Sequence, residues 1–173
     1  MSAPPNERAP DRPVPVYVAA GSNVDPVASL VKALAALTAR FPDLVVSPAY
    51  RNAAVGFEGD DFINLVVGFT TPLSLAALLS ELHAVEALCG RGRDEPKWAK
   101  RRMDLDVLLY GDLVGEFPGA KLPRPDLVRR AFMLGPLADV APRVRHPTLG
   151  LTIAELWARF DQAAHPMHAI TLA

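Results

Sequence analysis

Asp104 and Asp106 stand two positions apart in the apolar run Met103 to Tyr110. On a β-strand the side chains at i and i+2 leave from the same face, so the two carboxylates are presented side by side. Anions that close repel each other unless a cation lies between them. An all-oxygen pair of this kind suits hard divalent ions such as Mg²⁺, with phosphate oxygens completing the shell. The plainer alternative is a solvated strand face with Arg101 or Arg102 as ion-pair partner.

The segment just upstream strengthens the phosphate reading. Arg91, Arg93, Lys97, Lys100, Arg101 and Arg102 put six of the 18 basic residues into twelve positions, against only Asp94 and Glu95. Guanidinium forks grip phosphate oxygens bidentately, whereas lysine acts as a point charge, so this composition beside a carboxylate pair fits a nucleoside triphosphate. A solvated basic loop would look similar. Trp98 tilts the choice, because a tryptophan in so charged a stretch is poorly placed for a core and well placed to stack on a ligand. No GxxxxGK[ST] loop occurs, so phosphate chemistry here rests on side-chain cations and metal.

The rest of the chain must position these groups. Its 173 residues fit one domain, and 50% hydrophobic with 21% charged residues is ordinary for a globular protein. A formal charge of -1 gives no global field for nucleic acid or an anionic membrane. No apolar run reaches the roughly 18 residues of a membrane helix. Cys89 is the only cysteine. It excludes an intrachain disulfide and, with no signal peptide evident, favours a cytoplasmic setting. The four histidines form no HExxH pattern.

Residues 1–13 hold four of the first five prolines and read as a flexible leader, and residues 14–173 as a single domain. Val14 to Ala20 reads as a buried strand leaving through a turn at Gly21-Ser22-Asn23. Asp25-Pro26 then caps a helix running to about Arg40. Strands follow at Leu44 to Tyr50 and at Phe62 to Thr71. A helical pattern opens at Pro72 and closes at Gly90, before the strand Met103 to Tyr110. This βαββαβ order predicts an α+β ferredoxin-like sandwich, an antiparallel sheet with helices packed on it. The proline-punctuated stretch from Pro118 to Pro147 and a short helix near Leu151 to Phe160 are expected to be C-terminal additions.

These residues resemble the 6-hydroxymethyl-7,8-dihydropterin pyrophosphokinase family of folate biosynthesis. The resemblance is carried by VYVAAGSN (16–23), SPAYR (47–51), DFIN (61–64), EALCGRGR (86–93), KWAKRRMDLDVLLYG (97–111), LPRPDLVRRAFML (122–134) and PLADVAP (136–142). It implies transfer of pyrophosphate from ATP to the hydroxymethyl group of a reduced pterin, releasing AMP, with two Mg²⁺ ions. By position, Asp104 and Asp106 would hold the metals. Arg91, Arg93, Arg101 and Arg130 would hold the triphosphate, with Arg91 and Arg101 joining the aspartates in the catalytic set. Trp98 would close over the site, Asn64 would bond the pterin edge, and Phe62 and Phe132 would sandwich its ring. Val55 and Gly56 fall in a loop that contacts the pterin, and His83 lies near the nucleotide.

The chain also departs from the family's pattern. Arg124 stands where the family usually has a histidine, keeping positive charge near the phosphates while losing a titratable group. Asn52-Ala53-Ala54-Val55-Gly56 replaces a proline-containing TxPxG element, and Lys97-Trp98-Ala99-Lys100-Arg101 lacks the glycine and proline of RWGPR. These changes leave two alternatives beside the standard activity. One is a paralogue acting on a related pterin alcohol; the other is a pterin- or nucleotide-binding module without turnover.

Overall fold

Strands of small and β-branched residues alternate here with two long helical runs, and a computed structural model describes residues 3–52, 61–90 and 103–172 of the result. The elements are β1 (Val14–Ser22), α1 (Pro26–Arg40), β2 (Val45–Val46), β3 (Ala49–Asn52), β4 (Phe62–Thr71), α2 (Leu75–Leu88) and β5 (Asp104–Tyr110). A β6–β7 hairpin (Gly115–Phe117, Ala120–Leu122), a 3₁₀ turn at Pro125–Val128, α3 (Ala131–Val140), α4 (Ile153–Arg159) and β8 (His168–Ile170) follow. The main sheet has the order β5-β1-β4-β3-β8, with β2 also on β4, and every pairing in it is antiparallel.

Period-two alternation gives this sheet two different faces. Val16, Val18 and Ala20 of β1, with Ile63, Leu65 and Val67 of β4, turn toward α1 and α2 and form the larger core with Leu30, Leu37, Leu78 and Leu82. The residues between them, Ala19 and Val66, turn the other way, onto Leu127, Met133, Leu134 and Leu137 around α3 and Ile153 of α4. Helices therefore lie on both faces, and the segments expected to be additions supply the second layer. Among the described residues, no helix is long and apolar enough to cross a membrane.

Several local expectations change. β1 does not turn at Gly21: Gly21 and Ser22 stay in the strand, paired with Asn64 and Ile63. The single strand expected over Leu44 to Tyr50 is split into β2 and β3 around Ser47-Pro48. Pro48 has no N–H to offer a ladder. Ser47 bridges the gap, donating its N–H to the Val66 carbonyl (2.9 Å) and accepting the Val66 N–H at Oγ (2.9 Å). Asp25 occupies the N-cap of α1 in a left-handed conformation (φ 44°) without a side-chain cap hydrogen bond. The second helix starts at Leu75, where the Ser74 side chain accepts from Ala77 N–H at 3.1 Å. The leader contributes as well: Asn6 is buried, and its carbonyl accepts the Ala76 N–H (2.8 Å), one of the first-turn donors a helix cannot satisfy internally.

A buried histidine should make the second layer sensitive to acid. His146 Nδ1 accepts the backbone N–H of Leu149 (3.2 Å) and lies 3.3 Å from that of Thr148, and burial holds its pKa below the ordinary value. The folded state thus prefers the neutral ring. Its contribution is present above about pH 6.5 and is lost as the pH falls and the unfolded chain takes up the proton. Urea midpoints should drop between about pH 7.5 and 5.5, and His146→Asn should make that slope shallower. An unchanged slope in the variant would assign the acid sensitivity elsewhere.

Candidate active site

Cross-strand register sets the floor of the site. On the face shared with α3 and α4, Asp104 of β5 lies opposite Gly21 of β1, Gly21 opposite Asn64 of β4, and Asn64 opposite Tyr50 of β3. One step along, Asp106 lies opposite Ala19 and Ala19 opposite Val66, while Phe62 lies opposite Asn52. Ala19 and Val66 are covered by the second core. The Asp104–Gly21–Asn64 row lies one step beyond them along the strands. Neighbouring strands are about 4.8 Å apart, so the row brings a carboxylate and a buried amide within about 10 Å of each other.

A β-bulge decides which face the carboxylates use. The β1–β5 register shifts after Tyr17, which faces Leu109, because Val18 then faces Val107 and Leu108 is left over. Leu108 and Leu109 both enter the second core. The extra residue reverses the parity of everything upstream, so that Asp104 and Asp106 share the face of Leu109 and Leu105 and Val107 go to the other core.

Gly21 keeps the floor low. A Cβ there would run into Asn64 Oδ1 and sit 3.8 Å from Phe62. Asn64 is buried, and its Nδ2 donates to Asn52 Oδ1 (2.5 Å), which leaves the rest of the amide for a ligand edge. Tyr50 fixes β3 against α3 by donating to Asp139 Oδ2 (2.5 Å). Burial first, then this acceptor, push the Tyr50 hydroxyl up to about 12.

Among the described residues, the segment after β7 brings Arg124 and Arg130 to the site. Arg124 N–H donates to the Leu108 carbonyl (3.0 Å), which ties this segment to β5, and Arg124 Nη1 reaches Asp106 Oδ1 at 3.5 Å. Arg124 Nε is buried with no hydrogen-bond partner among the described residues. A buried donor left in that state costs about 1–3 kcal/mol, so the guanidinium is set up for an acceptor such as a phosphate oxygen. Arg130 at the N-cap of α3 and Phe132 in its first turn line a cleft of about 390 Å³ with Asn52 and Arg51. Its far wall is the C-terminal tail, with His165, Met167 and His168.

The structure thus brings together Asp104, Asp106, Asn64, Phe62 and Arg124, and places Arg130 and Phe132 on the adjoining cleft. It does not bring His83 to them, for that side chain is exposed on α2, the layer across the sheet. Arg91, Arg93, Trp98 and Arg101, and Val55 and Gly56 on the pterin side, lie outside the described residues. Sequence reasoning missed Gly21, Asn52 and the tail histidines. The small-residue run Ala19-Ala20-Gly21 was the available signal for Gly21, since glycine inside a strand marks close approach. Among the described residues no group of three or more metal-ligating side chains occurs. The two aspartates supply hard oxygens, which fits a divalent cation whose remaining ligands come from a phosphate-bearing substrate rather than a zinc cage.

Comparison with known proteins shows the family. The profile of the 7,8-dihydro-6-hydroxymethylpterin-pyrophosphokinase (HPPK) family matches residues 17–142. The 2-amino-4-hydroxy-6-hydroxymethyldihydropteridine pyrophosphokinase of Pseudomonas aeruginosa is 38% identical over 147 residues, covering 83% of this chain and 90% of the relative. The proteins of the same name from Aquifex aeolicus (37% over 134 residues; 76% and 83% covered) and Haemophilus influenzae (33% over 158; 89% and 96%) are similar over most of their length. Among solved structures, wild-type Plasmodium falciparum HPPK-DHPS with STZ-DHP superposes with a TM-score of 0.65 at 12% identity, over 86% of this chain. An HPPK-DHPS in complex with substrates gives 0.64 at 12% identity, over 88%. The chain spans less than half the length of these solved chains, 43% and 44%, so the likeness shows the fold of the matched part. With the family profile matched over residues 17–142 and relatives 33–38% identical over most of both chains, the chain belongs to the 7,8-dihydro-6-hydroxymethylpterin pyrophosphokinase family.

Proposed function

We infer that the protein is an ATP-dependent pyrophosphokinase that transfers pyrophosphate from ATP to the hydroxymethyl group of 6-hydroxymethyl-7,8-dihydropterin, releasing AMP, in folate biosynthesis. The observation that carries the reading is the Asp104–Gly21–Asn64 row, which sets a cation-binding carboxylate beside an amide suited to a heterocycle edge. The order β5-β1-β4-β3, with α1 and α2 on one face, supports a ferredoxin-like core. We treat residues 14–173 as one catalytic domain behind the proline-rich leader.

In this reading Asp104 and Asp106 hold two Mg²⁺ ions. Mg²⁺ held there would offset phosphate charge and lower the pKa of the substrate hydroxyl. The hydroxyl oxygen attacks the β-phosphorus in line and gives up its proton to solvent, the bond from that phosphorus to the α–β bridging oxygen breaks, and AMP leaves with that oxygen. No covalent nucleophile is needed, so the chain's task is alignment and charge balance. Asn64 fixes the pterin edge, and Phe62 and Phe132 flank the ring. Arg124 and Arg130 face the phosphates, joined by Arg91, Arg93 and Arg101, and Trp98 covers the site. His83 is assigned to the nucleotide side from sequence alone. Val55 and Gly56 complete the pterin loop. The substrates are small molecules, with no nucleic acid or membrane involved, and the reaction belongs in the cytoplasm.

The test is product analysis: ATP and the pterin should yield AMP and the pterin diphosphate in equal amounts, and ADP as the product would contradict the reading. Arg124 supplies a second check. Its pair with Asp106 joins side chains about a third exposed (30% and 34%), a class worth about 0–1 kcal/mol, so Arg124→Ala should barely move the unfolding midpoint. Losing a charge-assisted bond to phosphate should instead raise the KM for ATP by about tenfold. A marked fall in stability with unchanged KM would make Arg124 a structural residue.

A further inference from the structure

The C-terminal end of α2 meets the outer edge of β5. β5 ends the sheet, so a Leu105 N–H directed away from β1 has no neighbouring strand to receive it. Glu86, in the last turn of α2, receives it: Oε2 accepts the Leu105 N–H at 2.9 Å, and the side chain is buried, with 7% of its surface exposed. Leu105 is the residue between Asp104 and Asp106.

Glutamate is an expensive choice for this place. The C-terminal end of a helix carries the negative end of its dipole, and α2 has no basic residue in its last turn. Burial adds the cost of desolvating a carboxylate. Packing alone would be met by Leu or Met, which carry no such cost. An acceptor at this place supplies a fixed position for the Leu105 amide, and with it a fixed spacing of the aspartates on either side. Two carboxylates that share cations tolerate little drift, because hard divalent ions demand near-ideal oxygen geometry.

We propose that Glu86 is a positioning residue, acting through the Leu105 backbone to hold Asp104 and Asp106 in metal-binding alignment. The proposal rests on the reading of those aspartates as the metal pair. It acts as a hydrogen-bond acceptor, so the amide of glutamine should replace it while alanine should not.

The test uses the full chain with a non-hydrolysable ATP analogue. Mn²⁺ binding is followed by electron paramagnetic resonance and exchange of the Leu105 amide by NMR. Glu86→Ala should weaken Mn²⁺ binding by about tenfold or more and speed exchange at Leu105, as loss of a group orienting metal ligands does. Glu86→Gln should keep both close to wild type. If the alanine variant does not fold, Glu86→Asp, still charged but one methylene short, takes its place with the same expectation. Wild-type Mn²⁺ affinity in the alanine or aspartate variant, or a glutamine variant as impaired as alanine, overturns the proposal. Asp104→Asn, measured alongside, separates the two claims. If it loses Mn²⁺ while the short Glu86 variants do not, only the Glu86 role falls. If it binds Mn²⁺ normally, the metal reading fails and takes this proposal with it.

Discussion

Asp104→Ala and Asp106→Ala are each expected to lower kcat by on the order of 10³-fold, the loss of about 4 kcal/mol of transition-state stabilisation that several-kcal/mol metal contributions imply. Stability should hardly respond. Both side chains are only half-buried, and the ion pair recorded for Asp106, to Arg124 at 3.5 Å, is of a solvent-screened kind worth little. Removing one anion from a close pair also relieves repulsion in the metal-free protein. The measurement is AMP release at saturating Mg²⁺, with a urea unfolding curve for each variant. Turnover within a few-fold of wild type would remove the aspartates from the chemistry, and collapse of the unfolding midpoint would recast them as structural.

Gly21→Ala should give the other large effect, on a different parameter. Its Cβ would occupy the place of Asn64 Oδ1, and Asn64, buried and bonded to Asn52, has little room to yield without breaking that bond. Displacing the amide takes it from the pterin edge, and one or two lost hydrogen bonds of about 1–3 kcal/mol correspond to roughly 10–100-fold in kcat/KM for the pterin. The KM for ATP should stay near wild type. Gly68→Ala is the control: its Cβ would press on the Tyr17 ring at 2.8 Å, farther along the strand, costing stability without touching Asn64. Steady-state kinetics varying each substrate in turn distinguish the two, and equal effects of both variants on the pterin KM would refute the floor assigned to Gly21.

What the sequence reveals of this site follows the range over which its signals act. Asp104 and Asp106, like Phe62 and Asn64, lie two apart on single strands, and alternation within one strand is a local rule. Gly21 looks like a turn locally, because glycine punctuates chains. Its role emerges only when β1 is laid between β4 and β5. The Leu108 bulge was written in DLDVLLY as two adjacent leucines, yet which parity they enforce depends on the partner strand. The second helical layer was obscured by Pro136, which lies inside α3 and removes a ladder donor from an otherwise apolar helix. β8, three residues pairing Arg51 with His168, has no periodicity to detect, so the tail histidines on the cleft wall were out of reach.

The central claim is that metal-held phosphate and pterin meet across the Asp104–Gly21–Asn64 row. Proton relaxation of the pterin bound together with a non-hydrolysable ATP analogue and Mn²⁺ tests it most directly, because paramagnetic relaxation falls steeply with distance. The account predicts the strongest enhancement at the hydroxymethyl protons, weaker enhancement at the ring protons, and loss of the effect in Asp104→Ala. Hydroxymethyl protons relaxing as they do with diamagnetic Mg²⁺, or an enhancement that survives Asp104→Ala unchanged, would contradict it.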